Sequence, residues 1–185
     1  MGVDFDVVPS RFAEQLDDSR LAQDVAAELS LGKALDVAHT YPSHIVIGSD
    51  TIVTIDGTQL EKPHSADEAK KMLRLLSGTS HTTTTGLAVV WLERGVQFVT
   101  TDTTFLFFKP FDEAAVDAYI ATGDFADKAG AYGIQSGAAP LIDYVVGYPT
   151  TVVGLPTHLL APLLTELGVA ARAVVLKLPI SLRAA

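Results

Sequence analysis

Apolar residues recur along the chain with changing periods, and each period predicts a different element. After an extended start over Phe5–Val8, Leu21, Val25 and Leu29 recur every four residues within Ser19–Thr40. That is the spacing of a helix burying one face, with Ser19 as its N-cap. His44-Ile45-Val46-Ile47-Gly48-Ser49-Asp50 is a β-branched run that reads as a buried strand ending on Asp50. Ile52–Ile55 and Thr58–Glu61 flank Asp56-Gly57, a dipeptide that accepts positive φ and so predicts a hairpin turn, closed by Lys62-Pro63. Ser65 and Glu68 have capping-box spacing. Ala69, Met72, Leu73 and Leu76 then form the apolar stripe of a helix that stops near Gly78.

Thr82–Leu92 and Val96–Phe108 are rich in Thr, Val and aromatic residues and predict paired strands. A helix capped at Asp112 or a neighbour should bury Ala115, Val116, Tyr119 and Ile120, with Gly123 as its C-terminal cap. Gly123–Ala139 is a loop of small residues whose backbone can approach a ligand closely. Leu141–Val146 predicts a strand, and Gly154–Thr157 opens a last helix to Leu167 that Pro162 should strain or kink. Val174–Leu178 predicts a terminal edge strand. Strands alternate irregularly with helices and nothing marks a boundary, so residues 1–185 predict a single mixed α/β (α+β) domain.

Composition narrows the chemistry. Of 185 residues, 48% are hydrophobic and 19% charged, enough apolar material for a core. The formal net charge of -9 disfavours a duplex nucleic acid partner, because phosphates would be repelled. Without cysteine there is no disulfide, thiolate zinc site or thiol nucleophile. No apolar run reaches the ~18 residues of a membrane span. The start, Met1–Asp6, has no secretory or myristoylation pattern. The expectation is a cytoplasmic protein without a membrane partner.

Asp50 is the first candidate, since a carboxylate at a strand end can hold a divalent cation or take a proton from water; a plain turn former is the ordinary alternative. Glu14 could join it as a second hard oxygen ligand. Lys33 in Gly32-Lys33-Ala34 and Lys62 in Glu61-Lys62-Pro63 are point charges of the kind phosphate oxygens need. Gln135 both donates and accepts, which suits the edge of a uracil or thymine. Asp127-Lys128 could equally be a surface ion pair, and His81 reads as structural. Thr51-Ile52 after Asp50 breaks the Asp-x-Asp pattern of aspartyl phosphatases. P-loop and dinucleotide glycine patterns are absent.

Taken together, Phe5-Asp6-Val7-Val8-Pro9-Ser10, Gly48-Ser49-Asp50-Thr51-Ile52-Val53, Leu60-Glu61-Lys62-Pro63, Leu76–His81, Asp127-Lys128-Ala129-Gly130-Ala131-Tyr132-Gly133-Ile134-Gln135 and Val153-Gly154-Leu155-Pro156 resemble the Maf family over nearly the whole chain. The resemblance implies an inosine-triphosphatase-like, two-lobed fold with an elongated mixed sheet and a central cleft. It implies a house-cleaning nucleotide pyrophosphatase, dependent on Mg²⁺ or Mn²⁺, and suggests a homodimer. By the same resemblance Asp50 is proton acceptor and metal ligand, Glu14 a second metal ligand, and Lys33 and Lys62 phosphate contacts. Thr51 and Gln135 match the branch that prefers dTTP and UTP, with 5-substituted pyrimidines as further targets.

Family members carry, ahead of the region matched here, a strand and a Ser-x-Ser-Pro-Arg-Arg segment that cradles phosphates, and this sequence starts just after it. Two arginine contacts of ~1.5 to 3 kcal/mol each would go with that segment. The alternative expectation is therefore a catalytically impaired nucleotide-binding or septum-regulating protein.

Overall fold

The computed structural model describes residues 1–14, 19–176 and 178–183. The order is α1 (Ala22–Thr40), β1 (Val46–Ile55), β2 (Thr58–Leu60), α2 (Ala66–Leu76), β3 (Ser80–Trp91), β4 (Val96–Phe108), α3 (Glu113–Ile120), β5 (Ile142–Val146), α4 (Pro149–Val152), α5 (Thr157–Glu166) and β6 (Ser181–Arg183). The strands form one sheet in the order β2-β1-β3-β4-β5-β6. All neighbours are antiparallel except β5 and β6, so the sheet is mixed, as predicted. On the β4 side, β5 pairs with Phe105–Phe108.

The hairpin, the β3–β4 pair and the capping box form where the sequence places them. Ile55 pairs with Thr58 across Asp56-Gly57, both at positive φ. Ser65 Oγ accepts from the Glu68 amide while Glu68 Oε2 accepts from the His64 amide, so the reciprocal bond lands one residue early. α2 is too short to be stable alone. Leu73 and Leu76, fully buried, contribute about 3–6 kcal/mol together through burial and hold it to the sheet.

Several expectations are corrected. Asp50 does not end a strand: β1 runs on to Ile55, because Ile52–Thr54 pair with β3 in the same register as Val46–Thr51 and Ile55 pairs with Thr58 of β2. α1 begins at Ala22 with Leu21, not Ser19, at the N-cap, and Leu21 is exposed rather than part of the buried face. α3 is capped by Asp112 itself rather than a neighbour and ends at Ile120 with Ala121, not Gly123, at the C-cap; Gly123 lies in the turn beyond, at φ 72°. The expected last helix forms as α5, with Pro162 inside it. The terminal edge strand is Ser181–Arg183; residues 174–176 and 178 are not strand, and Lys177 lies outside the described residues.

The two faces of the sheet are covered differently. α1 lies on one face, where Val25, Ala26 and Leu29 meet Ile52, and Ala34 and Ala38 meet Ala88 and Val90. On the other face α5 packs Leu160 and Leu164 onto Leu87 and Val89. The largest core gathers the far halves of β1 and β4 with β2, β5, α2, α3 and the glycine-rich loop.

Candidate active site

Glycine sets the approach of α1 to the sheet. A Cβ on Gly48 would lie 2.2 Å from the Ser30 carbonyl oxygen, and one on Gly86 would lie 2.0 Å from that of Ala26. Gly86 is the cross-strand partner of Asp50. With side chains absent there, the helix backbone rests directly on β1 and β3, and Lys33 on α1 reaches Asp50.

Lys33 Nζ donates to Asp50 Oδ1 at 2.5 Å and pairs with Glu14 Oε1 at 2.8 Å. Glu14 is delivered by an irregular segment fastened to the same helix. Ser10 Oγ and the Arg11 amide both donate to Asp36 Oδ2, at 3.0 and 2.7 Å. The Phe12 ring lies on Gly32, where a Cβ would come within 2.4 Å of it. Gly32 costs α1 about 1 kcal/mol relative to alanine and admits the ring beside Lys33.

Burial raises the Asp50 carboxyl above the ordinary carboxylate range, outweighing the hydrogen bond and charge of Lys33; Glu14 pushes the same way and the Lys62 charge opposes it. Lys33 is also pushed up: burial favours its neutral form, but hydrogen bonds to Asp50 and Glu14 outweigh burial and keep it an ammonium. The two directions agree physically, since the lysine faces two carboxylates while the more deeply buried aspartate is hydrogen-bonded to one ammonium. The structure thus brings Glu14, Lys33 and Asp50 into direct contact, with Lys62 exposed just past β2 and close enough to act on Asp50 through its charge.

Thr51 faces the other way, as strand alternation requires. Its hydroxyl shares a 2.9 Å hydrogen bond with Thr85, and Thr85 Oγ1 donates to the Thr151 carbonyl at 2.6 Å. Ser49 Oγ lies 2.8 Å from the Gly86 and 2.6 Å from the Gly154 carbonyl oxygen. Both neighbours of Asp50 are therefore fastened to the α4–α5 region. Thr151 Oγ1 in turn donates to Asp102, which lies 3.6 Å from His158 Nε2.

The glycine-rich loop joins β1 and the Lys62 segment. The Gly130 amide donates to the Glu61 carbonyl, and a Cβ on Gly130 would lie 3.1 Å from Val53. Gln135 is exposed on this loop. Asp127, in the motif, pairs with neighbouring Lys128 at 2.7 Å. Asp124, which sequence reasoning missed, takes hydrogen bonds from Tyr119 and Ser136 and an ion pair from Lys128. Burial opposes its ionisation, yet these donors hold its carboxyl below the ordinary range. The signal available in sequence was Tyr119 and Asp124 flanking the end of α3. His81 is structural as expected: it is buried, shares a 2.7 Å hydrogen bond with Tyr132 and meets Phe108 edge-on.

Residues 1–167 match the family described as Maf-like protein. A relative from Bacillus cytotoxicus named dTTP/UTP pyrophosphatase is 43% identical over 154 residues, covering 83% of this chain and 80% of its own. One of the same name from Bacillus cereus is 40% identical over 155 residues, covering 84% and 75%. A third, from Bacillus anthracis, is 39% identical over 84% of this chain and 80% of its own.

Proposed function

The chain belongs to the Maf-like protein family, and from that premise we propose that it hydrolyses dTTP and UTP to the nucleoside monophosphate and pyrophosphate. One observation carries the reading: Lys33 Nζ lies between the carboxylates of Glu14 and Asp50, at 2.8 and 2.5 Å. Two hard oxygen donors converge on one cationic centre, a donor set that suits Mg²⁺ or Mn²⁺. Glu14 and Asp50, whose carboxylates flank Lys33, are the residues that would hold it. When bound, the ion would offset charge on the phosphate oxygens.

Asp50 takes the proton of the attacking water, a role its burial supports by raising its proton affinity. Lys33, already an ammonium beside Asp50, turns to the phosphate oxygens when triphosphate enters, and Lys62 adds a second positive charge. Gln135 offers an amide to the pyrimidine edge. Thr51 serves from the far face by holding β1 in place through Thr85. We place this activity in the cytoplasm and in a homodimer; sedimentation velocity tests the latter.

The test is pyrophosphate release from dTTP, UTP, CTP and GTP with Mg²⁺ or Mn²⁺. Turnover of dTTP and UTP should dominate and vanish on chelation. Asp50→Asn should lower kcat about 10³-fold, within the range of a lost general base. A purine preference would overturn the substrate assignment, and full activity in Asp50→Asn would overturn the mechanism. Thermal stabilisation by nucleotide without product would favour the non-catalytic binding protein instead.

A further inference from the structure

We infer that Asp124 is the positioning residue of the glycine-rich loop: one carboxylate fixes the residues on both sides of Gln135 and so sets the side chain that meets the base. The inference rests on the reading of Gln135 as the base-recognition residue.

The geometry is a bracket. Before Gln135, the Gly133 amide donates to the Tyr119 hydroxyl at 3.1 Å, and that hydroxyl donates to Asp124 Oδ2 at 2.8 Å. After Gln135, Ser136 Oγ donates to the same oxygen at 2.5 Å. Lys128 Nζ meets Asp124 Oδ1 at 3.2 Å, closing the loop from its start. The backbone is drawn in so tightly that a Cβ on Gly133 would lie 2.4 Å from Ser136 Oγ and 3.0 Å from Asp124 Oδ2. A Cβ on Gly137 would lie 3.0 Å from the Tyr119 ring. Tyr119 is 4% exposed and held in the main core, so the bracket is anchored to a rigid element rather than to the loop itself.

This arrangement satisfies the Gly133 amide and leaves Gln135 exposed between its anchors. Hydrogen bonds to a charged acceptor are the strong ones, and Asp124 collects three donors. Asp127, although it belongs to the recognisable motif, is 83% exposed at its side chain and fixes nothing but Lys128. A positioning residue should govern how well the base is held and leave the hydrolytic step, at Asp50, alone.

The experiment pairs amide hydrogen exchange at Gly133 with steady-state kinetics on dTTP, in wild type, Asp124→Ala, Asp124→Glu and Ser136→Ala. Exchange at Gly133 should accelerate at least tenfold in Asp124→Ala. KM for dTTP should rise about tenfold with kcat changed less than threefold, and Asp124→Glu should recover part of both. Ser136→Ala, at an exposed position, should show the same split more weakly and covers the case in which Asp124→Ala does not fold. Unchanged Gly133 exchange in a folded Asp124→Ala, or a loss confined to kcat, would overturn the inference. Exchange needs no turnover, so a wild-type protein that hydrolyses no dTTP would defeat the pyrophosphatase reading while leaving the bracket to be judged by Gly133 alone.

Discussion

His81 shows what a residue can reveal of its own. Burial holds its imidazole down to about 4 from an ordinary 6.5, so the folded protein keeps it neutral where the unfolded chain would protonate it. The unfolded state binds more protons between those values, and stability therefore rises with pH across that window. The contribution, roughly 3 kcal/mol, is complete above pH 6.5 and is lost as pH falls toward 4. Melting temperature measured from pH 7 to 4 should fall more steeply in wild type than in His81→Asn. At this scale the sequence offered Glu14, Lys33 and Asp50 as candidates by residue type, and the family resemblance gave them roles. Spacing alone could not show that a helix lysine would meet a strand aspartate 17 residues on. Thr51 was legible as a motif residue, but its direction follows from the length of β1, which the apolar run had ended too soon.

Elements were more legible than side chains, because capping and turn chemistry are local. Ser65→Ala removes the acceptor for the Glu68 amide and should cost about 1 kcal/mol, read as a shift in denaturant midpoint. The start of α1 was misplaced for the opposite reason: Leu21 occupies the N-cap and makes no side-chain cap bond, so no local signal marked it. Packing rather than capping fixes this helix. Gly86→Ala would drive a methyl into the Ala26 carbonyl and force α1 off the sheet, at a cost of about 3 kcal/mol. Since the same helix carries Lys33, kcat should fall in any Gly86→Ala protein that remains folded, although position 86 itself carries no side chain. Equal kcat in the variant would show that the helix spacing is unimportant to the chemistry.

On the scale of the whole molecule, β1 and β4 contribute to both the large core and the clusters under α1, while β3, which lies between them, carries the clusters under α1 and α5, and this joins the parts into one sheet. The irregular alternation of strands and helices foretold a mixed sheet, but its strand order depends on pairings distant in sequence that no local pattern encodes. Glu14, Asp50 and the glycine-rich loop come from widely separated parts of the chain, so nucleotide should stabilise the entire fold. At 100 times Kd the gain is about 2.7 kcal/mol. At ~2–4 °C per kcal/mol for this size, a thermal shift of roughly 5–10 °C is expected for non-hydrolysed dTTP analogues.

Asp50 stands on a strand flanked by β2 and β3, whereas Gln135 stands on an exposed loop position beside Ser136, which Asp124 fastens. Segments with few ladder bonds open at lower free energy than central strands. On warming, discrimination between pyrimidine and purine triphosphates should blur several degrees before hydrolysis itself fails, giving an enzyme that grows indiscriminate before it grows idle.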